Sequence, residues 1–214
     1  MTLTMRIESV KTSPDRAGRY TVKFEDGTVL RLYRQTMEDF CPYPGQELNQ
    51  QGYEKLLDAA GKMSAKMRAV RIVSATSVSK KDLEQRLIHK GENPDDARQA
   101  VSWMSDLKLL DDEQTAQQIV RRCISKGYGL ARAKQALYEK RIPKSYWDAA
   151  LEEYPVQNDA IAAYLKDHLH DPDDPKEVRR VTSALIRRGH NYQDIRRELQ
   201  KLSVDDEFLE ERNG

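Results

Sequence analysis

Seven cations crowd one short stretch of this 214-residue chain. Between Ile119 and Pro143 stand Arg121, Arg122, Lys126, Arg132, Lys134, Lys140 and Arg141, interrupted by one acid, Glu139. Guanidinium and ammonium groups at this density hold phosphate oxygens or carboxylates, and each added contact makes binding more salt-sensitive. A solvated helix surface would also carry such residues, but the local excess of cations favours a contact surface. Four further arginines, Arg187, Arg188, Arg196 and Arg197, lie near acids that offset them, so they read less readily as a binding patch.

Other reactive side chains do not assemble into a catalytic pattern. His89, His168, His170 and His190 share no metal-ligand spacing with one another or with Cys41 and Cys123, and solvent-exposed helix ends are expected for them. The acid pairs at 95–96, 111–112, 173–174 and 205–206 sit at expected helix starts, where negative charge meets the positive end of the helix dipole. The short "GYG" at 127–129 lacks the length of a dinucleotide-binding loop and reads as a helix stop followed by a new start. No enzyme activity, cofactor or metal is expected.

The net charge of +1 hides an asymmetry. Residues 61–145 hold 18 Lys and Arg against 10 Asp and Glu, whereas residues 146–214 hold 10 against 16. A basic middle beside an acidic end suits a surface with two polarities better than a uniform DNA coat. Two distant cysteines suit a reducing, cytoplasmic setting, and no apolar run is long enough to cross a bilayer. A monomer is expected.

The elements that must position the cations are mainly helical. Residues 5–11, 19–24 and 28–33 are rich in β-branched and aromatic residues, and "EDGT" at 25–28 supplies a hairpin turn. From Tyr53 onward the periodicity is helical. Three segments share one skeleton when Gly91, Arg141 and Gly189 are set equal. Leu87, Leu137 and Leu185 stand four residues before, and Ala97, Trp147 and Ile195 six after. Val101, Leu151 and Leu199 follow at ten, and Met104, Tyr154 and Leu202 at thirteen. Offsets of six, ten and thirteen trace one helix face, so these positions are expected to be buried. Asn93-Pro94, Asp174-Pro175 and Asn191 mark helix starts, with Glu177 as a reciprocal cap. A third helix is expected in each unit, the last from Val204. The expected organisation is a β-rich region at 1–52, a connecting helical segment at 53–78, and three-helix repeats at 79–126, 127–170 and 171–214. The fold class is mainly α with a small β element, the nine repeat helices forming an elongated, curved array.

The ordered set in "LLDDEQTAQQIVRRCISKGYGLARAKQALYEKRIP" at 109–143 resembles the RecX regulatory proteins. Leu110, Asp111, Asp112, Ala116, Arg121, Arg122, Gly127, Gly129, Leu137, Lys140 and Ile142 fit that family's pattern, as do Leu83, Leu87, Lys90 and Gly91 in the helix at 82–91. Three positions depart from it: Gln114 replaces an arginine, Thr115 an aromatic and Arg141 a glycine. The β-rich start is similar to longer members from Gram-positive bacteria. The resemblance implies a non-catalytic regulator that binds the RecA recombinase or its filament on DNA and inhibits its ATPase, strand-exchange and coprotease activities. Single- or double-stranded DNA is a further partner to be considered. A direct DNA-binding helical protein and a plain helical scaffold are the alternatives. The acidic third repeat argues against the former.

Overall fold

The structure, a computed structural model, describes residues 4–12, 18–156 and 158–210, with side chains as far as residue 202. The chain divides into two compact units, 1–111 and 112–214.

The first unit opens with an antiparallel sheet. Strands β1 (Thr4–Thr12), β2 (Tyr20–Phe24), β3 (Val29–Leu32) and β4 (Glu47–Asn49) lie in the order β3-β2-β1-β4. The β2–β3 hairpin turns at Asp26-Gly27, with Gly27 at φ +89° and the Asp26 carboxylate accepting from the Thr28 N–H at 2.9 Å. Alternation along the strands points Ile7, Val22, Phe24 and Leu32 to one buried face. The three expected strands are present. The fourth strand and the short helix α1 (Arg34–Phe40) were not anticipated, because prolines 42 and 44 mask the return of the chain to the sheet edge.

Helix α2 (Gln50–Ala75) is more than a connector. The Asn49 side chain caps it, accepting from the Gly52 N–H at 2.8 Å. Its first half sets Leu56 and Ala60 into the sheet core, and Phe24 meets Tyr53 edge-on at 5.3 Å. Its second half sets Ala65 and Ala69 against helices α3 (Lys80–His89) and α4 (Pro94–Asp106), around Leu83, Leu87, Ala97, Ala100 and Met104. Alanines on both α2 and α4 let the two backbones approach closely. Glu92 fixes the α3–α4 corner to α2, pairing with Arg68 at 2.6 Å and accepting from the Ser64 hydroxyl at 3.0 Å.

The second unit holds two helical cores. One gathers α5 (Asp112–Ser125), α6 (Leu130–Glu139), a 3-10 turn (Lys144–Tyr146) and α7 (Trp147–Leu151) around Ala116, Val120, Leu137 and Ile142. The other gathers α8 (Asn158–His168), α9 (Pro175–Arg187) and α10 (Tyr192–Glu210) around Ile161, Leu165, Val181, Leu185 and Ile195. The repeat is therefore out of phase with its expected boundaries at 79–126, 127–170 and 171–214. The helices expected to close the first two repeats, α5 and α8, open the next cores, Ala116 and Val120 packing with Leu137 and Ile142, and Ile161 and Leu165 with Leu185 and Ile195. The three modules that share cores are α2–α4, α5–α7 and α8–α10. Likewise α10 runs unbroken through Val204, so no separate helix starts there, and the acid pair at 205–206 lies within a helix rather than at its start.

The pivot of the repeat is a shared helix ending. After α3, α4, α5, α6 and α9, one residue takes a left-handed conformation: Gly91, Lys108, Gly127, Arg141 and Gly189. The next N–H then reaches the carbonyl five residues back, from Glu92 to Leu87, Leu109 to Met104, Tyr128 to Cys123, Ile142 to Leu137 and His190 to Leu185. Leu87, Leu137 and Leu185 are fully buried directly before these turns, each contributing on the order of 2 kcal/mol. Ala97 and Ile195 are buried as the spacing requires. Trp147 is only half-buried, donating its indole N–H to the Ile142 carbonyl at 3.0 Å, and Val101, Leu151 and Leu199 are half-buried. A five-residue α7 cannot bury as deep a stripe as the longer helices at the equivalent place.

Capping is mostly as expected. Asn93, Asp174 and Asn191 accept from the N–H groups of Asp95, Lys176 and Gln193 at 2.8, 2.9 and 2.8 Å. Glu177 does not reach back to the Asp174 N–H. It accepts from the Asp171 N–H at 3.1 Å and pairs with Arg180 at 2.9 Å. Among the described residues no helix is long and apolar enough to cross a membrane.

Candidate partner-binding surface

The seven cations lie on α5 and α6 and at the ends of these helices. In α5 the residues Ala116, Val120 and Cys123 turn inward, so Arg121 and Arg122 point to solvent. Gly127 stops the helix at φ +60°, and Lys126 stands exposed just before it. In α6 the inward residues are Ala133 and Leu137, which puts Lys134 in solvent and leaves Arg132 half-exposed. Arg132 pairs with Glu139 at 3.0 Å, and Gln135 donates to the same carboxylate at 3.1 Å. These hydrogen bonds, Arg132 first, hold the Glu139 carboxyl below its usual range. Lys140 caps the C-terminal end of the helix, and Arg141 follows in the left-handed region at φ +53°.

The set is spread over several places rather than one. Arg132, Lys126 and Arg122 come together near the Cys123 thiol. Burial pushes that thiol up, and the three charges partly oppose the shift. Arg121 lines a separate groove with Gln117, Glu152 and Glu153. Lys134 borders a third hollow with His190, Asn191 and Asp194. Lys140 and Arg141 stand at the other end of α6, roughly 12 Å along the axis from Arg132 at 1.5 Å per residue.

Residues of the last module complete this surface, and sequence reasoning had set them aside. The "GYG" turn packs directly on the "RRGHN" turn after α9. The Gly129 N–H donates to the Arg188 carbonyl at 2.9 Å, and the Ala131 N–H to the Gly189 carbonyl at 3.2 Å. A Cβ on Gly129 would lie 2.0 Å from the Gly189 oxygen, and one on Gly189 would lie 2.3 Å from the Arg132 nitrogen. Both positions therefore need glycine for close backbone approach, a demand that helix capping alone does not make.

Arg188 bridges the two turns. Its guanidinium donates to the Lys126 carbonyl at 2.9 Å and lies over the rings of Tyr128 and Tyr164, at 5.3 and 4.9 Å. His190 is buried, contrary to the exposed position expected for it. Its Nε2 donates to the Gly127 carbonyl at 3.1 Å, and burial, more than any charge, lowers its pKa. The Tyr154 hydroxyl donates to the Tyr128 carbonyl at 2.7 Å, and burial raises its pKa to about 12. The expectation that acids offset Arg187 and Arg188 fails. Asp194 pairs with Arg197 instead, and Arg187 makes no salt bridge among the described residues. A readable signal was the recurrence of Gly next to aromatic and basic residues in both turns.

Residues 111–151, which span α5 to α7, match the family model for the second three-helix domain of RecX. The chain is 26% identical to the regulatory protein RecX of Clostridioides difficile, over 97% of this chain and 99% of that one. It is 31% identical to the regulatory protein RecX of Vibrio campbellii, over 72% of this chain and 99% of the relative. Its fold matches a crystal structure of regulatory protein RecX with a TM-score of 0.58, at 18% identity, covering 89% of this chain and 96% of that one. A second match is RecX from Lactobacillus salivarius, with a TM-score of 0.56 at 20% identity, covering 68% and 99%. A module matched in place, and a relative matched along nearly its whole length at this identity, show that the chain belongs to the RecX family of regulatory proteins.

Proposed function

We propose that this chain is a non-catalytic regulator that binds the RecA recombinase or its filament on DNA and lowers the filament's ATPase, strand-exchange and coprotease activities. Membership of the RecX family supports a regulatory role. The observation that carries the reading is a set of exposed cations on α5 and α6 without counter-ions. Arg121, Arg122, Lys126 and Lys134 make no salt bridge among the described residues. A solvated surface also leaves such groups unpaired, but their density on two neighbouring helices suits an acidic or phosphate-bearing partner surface. Lys140 and Arg141 extend this contact surface along α6, and Arg132 supports it from its pairing with Glu139. Whole modules present these side chains on rigid helices, so binding needs no catalytic group.

The test adds the purified protein to RecA filaments on single-stranded DNA and follows ATP hydrolysis and filament length together. The expected result is a fall in hydrolysis with shortening of the filaments at substoichiometric or equimolar protein. Unchanged hydrolysis and length at saturating protein would contradict the reading.

A further inference from the structure

One cleft of the second unit, about 310 Å³ in volume, is lined by Tyr128, Arg132, Tyr164, Ala184, Arg187 and Arg188. Three arginines thus line one space, from α6 and the end of α9, and none of its lining residues is an acid. Glu139 offsets the charge of Arg132, but Arg187 and Arg188 make no salt bridge among the described residues, and like charges gathered so cost free energy unless something anionic offsets them. Arg188 is held in place for such a role. Tyr128 and Tyr164 carry its guanidinium on their faces, His168 stacks behind Tyr164 at 4.0 Å, and the Lys126 carbonyl takes one of its N–H groups. Its Nε is buried and meets no acceptor among the described residues. Arg132 is steadied by Glu139, while Arg187 is exposed and makes no salt bridge among the described residues.

We propose that this cleft, between the "GYG" and "RRGHN" turns, is a phosphate-binding site. Three planar guanidinium forks offer more donors, in more directions, than the two oxygens of one carboxylate accept. A tetrahedral phosphate presents oxygens on several sides and takes bidentate contacts from arginine. The cleft also exceeds the size of the anion alone, leaving room for the group attached to it. The phosphate belongs either to the backbone of a single-stranded nucleic acid or to a free polyphosphate. The site is built by the glycine-mediated contact of the α5–α7 and α8–α10 modules, so it exists only when both are present. The inference does not rest on recombinase binding.

The test uses the full chain, and Arg187 is the residue to change because it is exposed and holds no other element in place. Binding of inorganic pyrophosphate is measured by calorimetry. Binding of a short oligothymidylate with hydroxyl ends is measured by fluorescence anisotropy. The parent, R187A, R187E and the control K81E are compared, the control making the same charge change on an exposed lysine of the first unit. Circular dichroism confirms that each variant is folded. The expected result is binding of at least one probe, weakened roughly tenfold or more by R187E and less by R187A, with K81E like the parent. Pyrophosphate binding assigns the site to free polyphosphates, and oligothymidylate binding alone assigns it to a nucleic-acid backbone. The proposal is overturned if the parent binds neither probe, or if R187E and K81E lose affinity equally. It is also overturned if oligoglutamate binds the cleft and neither phosphate probe does. None of these failures bears on whether the parent lowers RecA hydrolysis.

Discussion

At the residue scale, two side chains occupy places their chemistry does not favour. Arg141 holds a left-handed conformation at φ +53° where three of the other helix ends, after α3, α5 and α9, use glycine. An L-residue there is strained by roughly 1–2 kcal/mol, partly offset because glycine has more freedom to lose on folding. R141G is therefore expected to raise stability by about 0.5–1 kcal/mol in urea denaturation while removing one cation from the surface. A loss of stability would show that the interactions of the arginine outweigh its strain. His190 is the second case. Burial, with the positive charge of Arg188, lowers its pKa, against the opposing pull of the Gly127 carbonyl and Asp194. The unfolded chain, with an imidazole near 6.5, then binds the proton more readily than the folded one. Stability is complete above that value and is lost as pH falls from it toward the depressed folded pKa. The melting temperature of the parent should drop between about pH 7 and pH 5 more steeply than that of H190Q. Parallel curves would mean that His190 does not titrate across the fold.

At the element scale, the sequence carried most of the architecture. The three strands, the caps at Asn93, Asp174 and Asn191, and the equivalence of Gly91, Arg141 and Gly189 were all legible, because each is a local demand of the backbone. The grouping of helices was not. Which hairpin a helix packs against depends on complementary faces far apart in sequence, and periodicity does not report that, so the repeat was read one helix out of phase. The same limit hid the candidate site. Lys126 and Arg132 stood out within a linear excess of charge, whereas Arg187 and Arg188 join them only because two turns 60 residues apart meet backbone to backbone. That meeting makes a sharp prediction. A methyl group at Gly129 would collide with the Gly189 carbonyl, so G129A should cost on the order of 3 kcal/mol. It should also release the contact between the α6 and α9 ends, seen as faster amide exchange at Ala131. If G129A melted like the parent, the close approach of the two turns would be wrong.

At the scale of the whole molecule, a β-rich module and three helical modules form two compact units, and in the second α5 and α6 carry Arg121, Arg122 and Lys134, which make no salt bridge among the described residues. Among the described residues this arrangement gathers no group of His, Cys, Asp and Glu that could hold a metal ion. What it offers a partner is charge on rigid helices. Individual exposed ion pairs are worth on the order of 0–1 kcal/mol, yet several acting together set both affinity and its salt dependence. The measurement that tests this most directly is a titration of RecA–DNA ATP hydrolysis with the parent and with R121A/R122A/K140A/R141A, at two salt concentrations, with circular dichroism as the folding control. The account predicts a folded variant that inhibits weakly, and a parent whose inhibition falls steeply with salt while the variant's residual effect changes little. A folded variant that inhibits as strongly as the parent at both salt concentrations would contradict it and move the contact away from α5 and α6.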